Sequence, residues 1–132
     1  MPLAAGENLA NADAFNKASR SGSFGVLQPD LAKWGGVSGC LPVARHIIEA
    51  GLTFCPHYLG GGVGLTASAH LLSASKGGDM LEVDINHNPL RSLLTQDMLS
   101  QRPGYLCLPE KPGSGLGIEQ SLNCLEKFKI SY

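Results

Sequence analysis

Long apolar runs are missing from this chain: no stretch approaches the roughly 18 residues that a membrane-spanning helix requires. An excess of one charge is missing too. Lys and Arg number 10 against 11 Asp and Glu, a net charge of −1 over 132 residues, so there is no electrostatic case for nucleic acid or a membrane surface as partner. Paired cysteines are absent: Cys40, Cys55, Cys107 and Cys124 form no CxxC and sit in ordinary apolar contexts. They are expected to be reduced, partly buried thiols. The opening Met1-Pro-Leu-Ala-Ala-Gly-Glu7 lacks the charged and hydrophobic regions of a signal peptide, and the expected compartment is the cytosol.

What is present is a repeating alternation. Leu3-Ala4-Ala5 is a short apolar run closed by Gly6-Glu7, and Asn8 to Asn11 offers caps for a helix through Ala12, Phe15 and Ala18 to about Arg20. Phe24-Gly-Val-Leu27 reads as a strand covered on both faces. Leu41, Val43, Ala44, Ile47, Ile48 and Ala50 then recur at helical spacing, with Pro42 suited to a first turn and Gly51 to a C-cap. Leu52 to Pro56 is a third strand, Leu65 to Ser75 a third helix, and Met80 to Val83 a fourth strand. Strand and helix alternating at roughly 25-residue intervals imply βαβ crossovers and a parallel sheet. After Asn88-Pro89 the alternation stops. Leu90 to Leu99 reads as a weak helix, and the Pro/Gly-rich stretch from Gly104 to Gly117 as extended chain.

Ionisable residues fall where these strands end. Asp30 closes Gln28-Pro-Asp30 ahead of Trp34-Gly-Gly36, and His57 closes Cys55-Pro-His57 ahead of the glycines at 60 to 62. Parallel α/β barrels present catalytic groups at the carboxyl ends of their strands, so Asp30 and His57 are expected side by side. Each has a plainer reading alone, Asp30 as a turn former after Pro29 and His57 as a satisfied histidine at a strand end. Glu7 has one as well, as a carboxylate favoured by a helix amino terminus. The glycines at 60 to 62 suit either a ligand's approach to the backbone or a tight loop. His46 and His70 fall within helices and are expected to pack or face solvent.

In these motifs the sequence resembles the carboxyl-terminal part of the enolase superfamily, in the subgroup named for mandelate racemase. The resemblance runs from Ala5-Gly-Glu-Asn8 through Gln28-Pro-Asp30, Trp34-Gly-Gly36, Pro56-His57 and Leu81-Glu82 to Pro112-Gly-Ser-Gly-Leu-Gly-Ile118. It implies an α/β fold that is part of a (β/α)8 barrel, strands five to eight over residues 1–89. Residues 90–132 would form an extended return segment that packs on a capping domain absent here. Four strands are too few for a closed barrel, which typically needs about 250 residues.

The resemblance also implies a chemistry: abstraction of the proton α to a carboxylate, with Mg²⁺ stabilising an enediolate. Glu7 matches the third of three carboxylate ligands to the metal. Asp30 and His57 match the base dyad, the carboxylate fixing the imidazole tautomer while the free nitrogen takes or returns the proton. Glu82 matches the acid that hydrogen-bonds the substrate carboxylate, and is preferred over Asp84, which lies on the same strand face. Lys33 and His87 are candidate substrate contacts from neighbouring loops. The other two metal carboxylates and an opposing base are not found, so this chain alone is expected to bind Mg²⁺ poorly and to be inactive. The functional expectation is the carboxyl-terminal portion of an acid-sugar dehydratase. The alternatives are a racemase or epimerase of the same family, or a non-catalytic fragment with a structural role. Exposed strand edges predict a homo-oligomer or association with the missing half.

Overall fold

The computed structural model describes residues 1–78, 80–99, 103–108 and 115–130. Three parallel strands form one sheet in the order β1-β2-β3: β1 Ala4–Ala5, β2 Val26–Leu27 and β3 Thr53–Phe54. Ala4 and Ala5 pair with Val26 and Leu27, which pair in turn with Thr53 and Phe54. Helices connect them, α1 Ala12–Arg20 between β1 and β2, α2 Gly36–Glu49 between β2 and β3, and α3 Gly62–Ser75 after β3. The chain is therefore α/β, as the alternation predicts.

Local sequence explains each helix boundary. Asn11 caps α1, its side-chain oxygen accepting from Ala14 N–H at 2.8 Å. At the end of α2, Leu52 N–H donates to Ile47 O and Gly51 N–H to Ile48 O, with Gly51 at φ +77°. This pair of bonds is the Schellman ending for which glycine is the least strained residue. Pro42 is an exception to its expected place. Because α2 begins at Gly36, Pro42 lies inside the helix, where its missing N–H forgoes one intrahelical bond.

The core lies between the sheet and the helices. Phe15 of α1, Leu27, Phe54, the α2 residues Cys40, Val43, Ala44 and Ile47, and Leu71 of α3 form one buried cluster. Burying each large side chain contributes about 1.5–3 kcal/mol. Two-residue strands supply few ladder bonds, so helix packing holds this sheet together. Trp34 belongs to the same packing, its ring 5.8 Å from that of Phe15, and Cys40 Sγ donates to Trp34 O.

The fourth strand does not form as a ladder. Residues 80–83 carry no regular secondary structure and lie beside β3's continuation, with Glu82 N–H donating to Pro56 O at 3.3 Å. Met80 and Val83 stay exposed, so the segment lacks the cover on both faces that an interior parallel strand needs. The weak helix expected at 90–99 is two short ones, α4 Pro89–Leu94 and α5 Gln96–Leu99. A 3-10 helix, Glu119–Phe128, follows where no element was expected. Of the stretch expected to be extended, residues 109–114 lie outside the described residues, and Tyr105 to Leu108 run without helix.

Candidate active site

Past their last paired residues, β2 and β3 stay in register. Cys55 N–H donates to Leu27 O and His57 N–H to Pro29 O, each at 3.2 Å. This register sets Asp30 beside His57. His57 Nδ1 lies 3.0 Å from Asp30 Oδ2, with both residues buried. The other carboxyl oxygen, Oδ1, accepts from Ala32 N–H at 2.8 Å and Lys33 N–H at 3.2 Å. Asp30 is thus both a turn former and a partner of His57, so its two sequence readings hold together. A carboxylate offers only acceptors, so Nδ1 carries the hydrogen and Nε2 is left with its lone pair.

Glu7 follows β1 on the same rim. Gly6 precedes it at φ +130°, and a Cβ there would lie 3.0 Å from Gln28 N. Only glycine lets β1 turn this close to β2. Glu7 Oε2 accepts from Gly6 N–H and Oε1 from Asn8 Nδ2, both at 3.0 Å. Its carboxyl is held below the usual range, first by its own backbone N–H, then by that of Gly6, by His57 when that ring is protonated and by the charge of Lys33, against partial desolvation. Lys33 Nζ lies 3.4 Å from Asn8 Oδ1, so Asn8 links the Lys33 and Glu7 side chains.

Glu82 approaches from residues 80–83, its Oε2 accepting from Gln28 Nε2 at 2.6 Å. Beneath it the Cys55 thiol is pushed up, chiefly by burial and further by the charge of Glu82. Asp84 faces a different task. Its Oδ2 pairs with Arg91 Nη1 at 3.2 Å and its Oδ1 accepts from Asn86, which ties down the loop leading to α4. Glu7, Asp30, Lys33, His57 and Glu82 therefore come together. His87 is exposed in the Asp84–Asn88 loop, and among the described residues no hydrogen bond joins it to the other five.

The glycine loop serves packing. A Cβ on Gly60 would lie 2.5 Å from the Tyr58 hydroxyl, one on Gly64 would collide with the Tyr58 ring, and one on Gly62 with Leu94. His46 bonds Ser19 and His70 bonds Leu116 O, both away from the site. Gln28, Asn8 and Arg91 were not picked out from sequence. Of these, Gln28 carried a usable signal, lying two residues before Asp30 on the same strand face.

Mg²⁺ demands a near-octahedral oxygen shell. Among the described residues no group of three His, Cys, Asp or Glu side chains converges to hold a metal ion. Glu7 offers one carboxylate, and these residues by themselves do not fit the ion.

A family model described as enolase C-terminal domain-like matches residues 1–122, and the chain belongs to that family. It is 29% identical over 138 residues to D-galactarolactone cycloisomerase from Agrobacterium fabrum, covering 98% of this chain and 36% of that protein. To D-galactonate dehydratase from Ralstonia nicotianae it is 29% identical over 128 residues, covering 92% and 34%. The chain spans about a third of the length of these relatives. Among solved structures, a mandelate racemase/muconate lactonizing enzyme from Bordetella bronchiseptica RB50 superposes with a TM-score of 0.82 at 53% identity, over 96% of this chain and 35% of that one. Among the described residues no helix is long and apolar enough to cross a membrane.

Proposed function

We propose that this chain supplies the base side of an active site that removes the proton α to the carboxylate of an acid sugar, leading to dehydration. The observation that carries this reading is the buried Asp30–His57 pair, 3.0 Å apart at the ends of adjacent parallel strands. His57 Nε2 takes the α-proton, and Asp30 stabilises the imidazolium that forms. Protonated His57 then acts as the acid that returns the proton to the departing β-hydroxyl. Glu82, as the protonated acid, donates a hydrogen bond to the substrate carboxylate, where negative charge grows as the proton leaves. Lys33 adds positive charge on the same rim. Glu7 would give Mg²⁺ one carboxylate ligand in a larger protein, and the ion would neutralise charge on the substrate carboxylate. Residues 1–89 would then be barrel units and residues 90–132 a return segment against a capping domain. Dehydration is favoured over racemisation because the chain's relatives include D-galactonate and arabinonate dehydratases.

The test is a graft. Residues 1–132 replace the matching third of the Ralstonia nicotianae D-galactonate dehydratase, and the graft is incubated with D-galactonate and Mg²⁺ in D2O. Exchange of the α-proton, followed by NMR, is expected with His57 and not with His57→Asn. Exchange at the same rate in both, or in neither folded graft, overturns the reading.

A further inference from the structure

A second polar layer lies beside the dyad, one step earlier along the strands. There Gln28 lies opposite Cys55 by continuation of the β2–β3 register, and Glu82 N–H is anchored to Pro56 O. Side chains two apart on a strand share a face, so Gln28 lies next to Asp30 and Cys55 next to His57. The Gln28 amide reaches across Cys55 and meets Glu82 Oε2 at 2.6 Å. Oε2 is the acceptor of this bond, so the amide nitrogen of Gln28 faces it, and Oε1 is left as the oxygen that can carry the proton of the acid. Among the described residues Glu82 Oε1 has no hydrogen-bond partner. No charged donor shares this layer, and Lys33 sits on the rim with Asn8 instead.

We infer that Gln28 is a positioning residue, whose side-chain amide fixes the Glu82 carboxyl by its Oε2 so that Oε1, carrying the proton of the acid, is the oxygen that donates to the substrate carboxylate. The inference rests on the reading of Glu82 as the contact to that carboxylate. Without the amide, Glu82 hangs from a segment that has one backbone bond to its neighbour and is free to sample several rotamers, each of which aims the carboxyl differently. A group within hydrogen-bond reach but free to turn loses the advantage of prior orientation. Cys55 belongs to the same layer, its small thiol interacting with the Gln28 side chain and the Glu82 backbone N–H.

Two measurements test this. In the full 132-residue chain, isotope-labelled at Glu, scalar couplings of Glu82 are expected to report a single χ1 rotamer, and Gln28→Met, which keeps the volume and removes the donor, is expected to average it. In the dehydratase graft, Gln28→Met is expected to lower kcat/KM for D-galactonate roughly two- to tenfold, the range for a hydrogen bond between neutral groups. Adding Glu82→Gln to Gln28→Met should then cost far less than Glu82→Gln alone. A Glu82 rotamer that stays fixed in Gln28→Met overturns the inference. So does an averaged rotamer with kcat/KM unchanged. An inactive graft that carries native Gln28 counts against the proposed function, and the couplings, which need no turnover, still decide on Gln28.

Discussion

Asp30 serves His57 with one carboxyl oxygen and its own turn with the other. Oδ2 lies 3.0 Å from Nδ1, and Oδ1 accepts from the N–H groups of Ala32 and Lys33. Turn and base are thus held by the same side chain. Asp30→Asn keeps the shape but substitutes an amide that can turn either end toward Nδ1. In the graft it is expected to lower α-proton exchange by about a hundredfold or more. Asp30→Ala is expected to destabilise the fold as well, by about 1–3 kcal/mol, because buried Nδ1–H and two backbone N–H groups lose their acceptor. Exchange near the unsubstituted rate in Asp30→Asn would show that the pair does not set the tautomer.

The glycines after His57 make room for Tyr58. A Cβ on Gly64 would overlap the Tyr58 ring, so Gly64→Ala is expected to destabilise the chain by about 1–3 kcal/mol through overpacking. In the Tyr58→Ala background the same change should cost much less. Urea denaturation of the four proteins of the cycle measures the coupling, and an additive result would mean that the glycine answers to something else.

Acid should loosen the rim. The Glu7 carboxyl is held low by backbone N–H groups, its own first, and that of Asp84 by the Asn86 N–H, with Arg91 adding to it. Both folded-state values are depressed, so the stability they contribute is present above the unfolded values of about 4 and is lost as pH falls through the folded ones. Melting temperature is expected to fall below about pH 4, and less steeply in the Glu7→Gln, Asp84→Asn double variant. An identical acid slope in both proteins would refute the assignment.

The outer edge of β1 carries no strand among the described residues, and Leu3, Met80 and Ile85 are exposed. Open edges and apolar side chains invite pairing. Sedimentation equilibrium at micromolar concentration is expected to show species heavier than the 13.9 kDa chain. A well-folded monomer would show that the chain tolerates this edge.

The parts of the fold governed by local chemistry were legible. Asn11 as a cap, Gly51 as a helix stop, three βα units, and the meeting of Asp30 with His57 all follow from residue type and spacing. Harder to read was whatever depended on a partner elsewhere. The apolar run Met80 to Val83 resembles a strand, yet it lacks cover on its outer side. Gln28 and Asn8 carry no charge and acquire a task only through Glu82 and Glu7. Asp84 and Glu82 share a strand face in sequence, and it is Arg91, seven residues beyond Asp84, that separates their tasks. The 3-10 helix at 119–128 belongs to a stretch whose pattern gave no period to follow.

The Asp30–His57 contact spans one crossover, β2-α2-β3, with a separation of 27 residues. Closing a loop of that length costs only modestly more entropy than closing a shorter one. The bonds that tie β3 and the histidine after it to the β2 segment, to Gly25 O, Leu27 O, Pro29 O and Asp30 Oδ2, all come from residues 25–30. The base is consequently a product of one supersecondary unit's assembly. Protection of the His57 N–H, which donates to Pro29 O, from hydrogen exchange can therefore serve as a clock for when that unit closes during refolding.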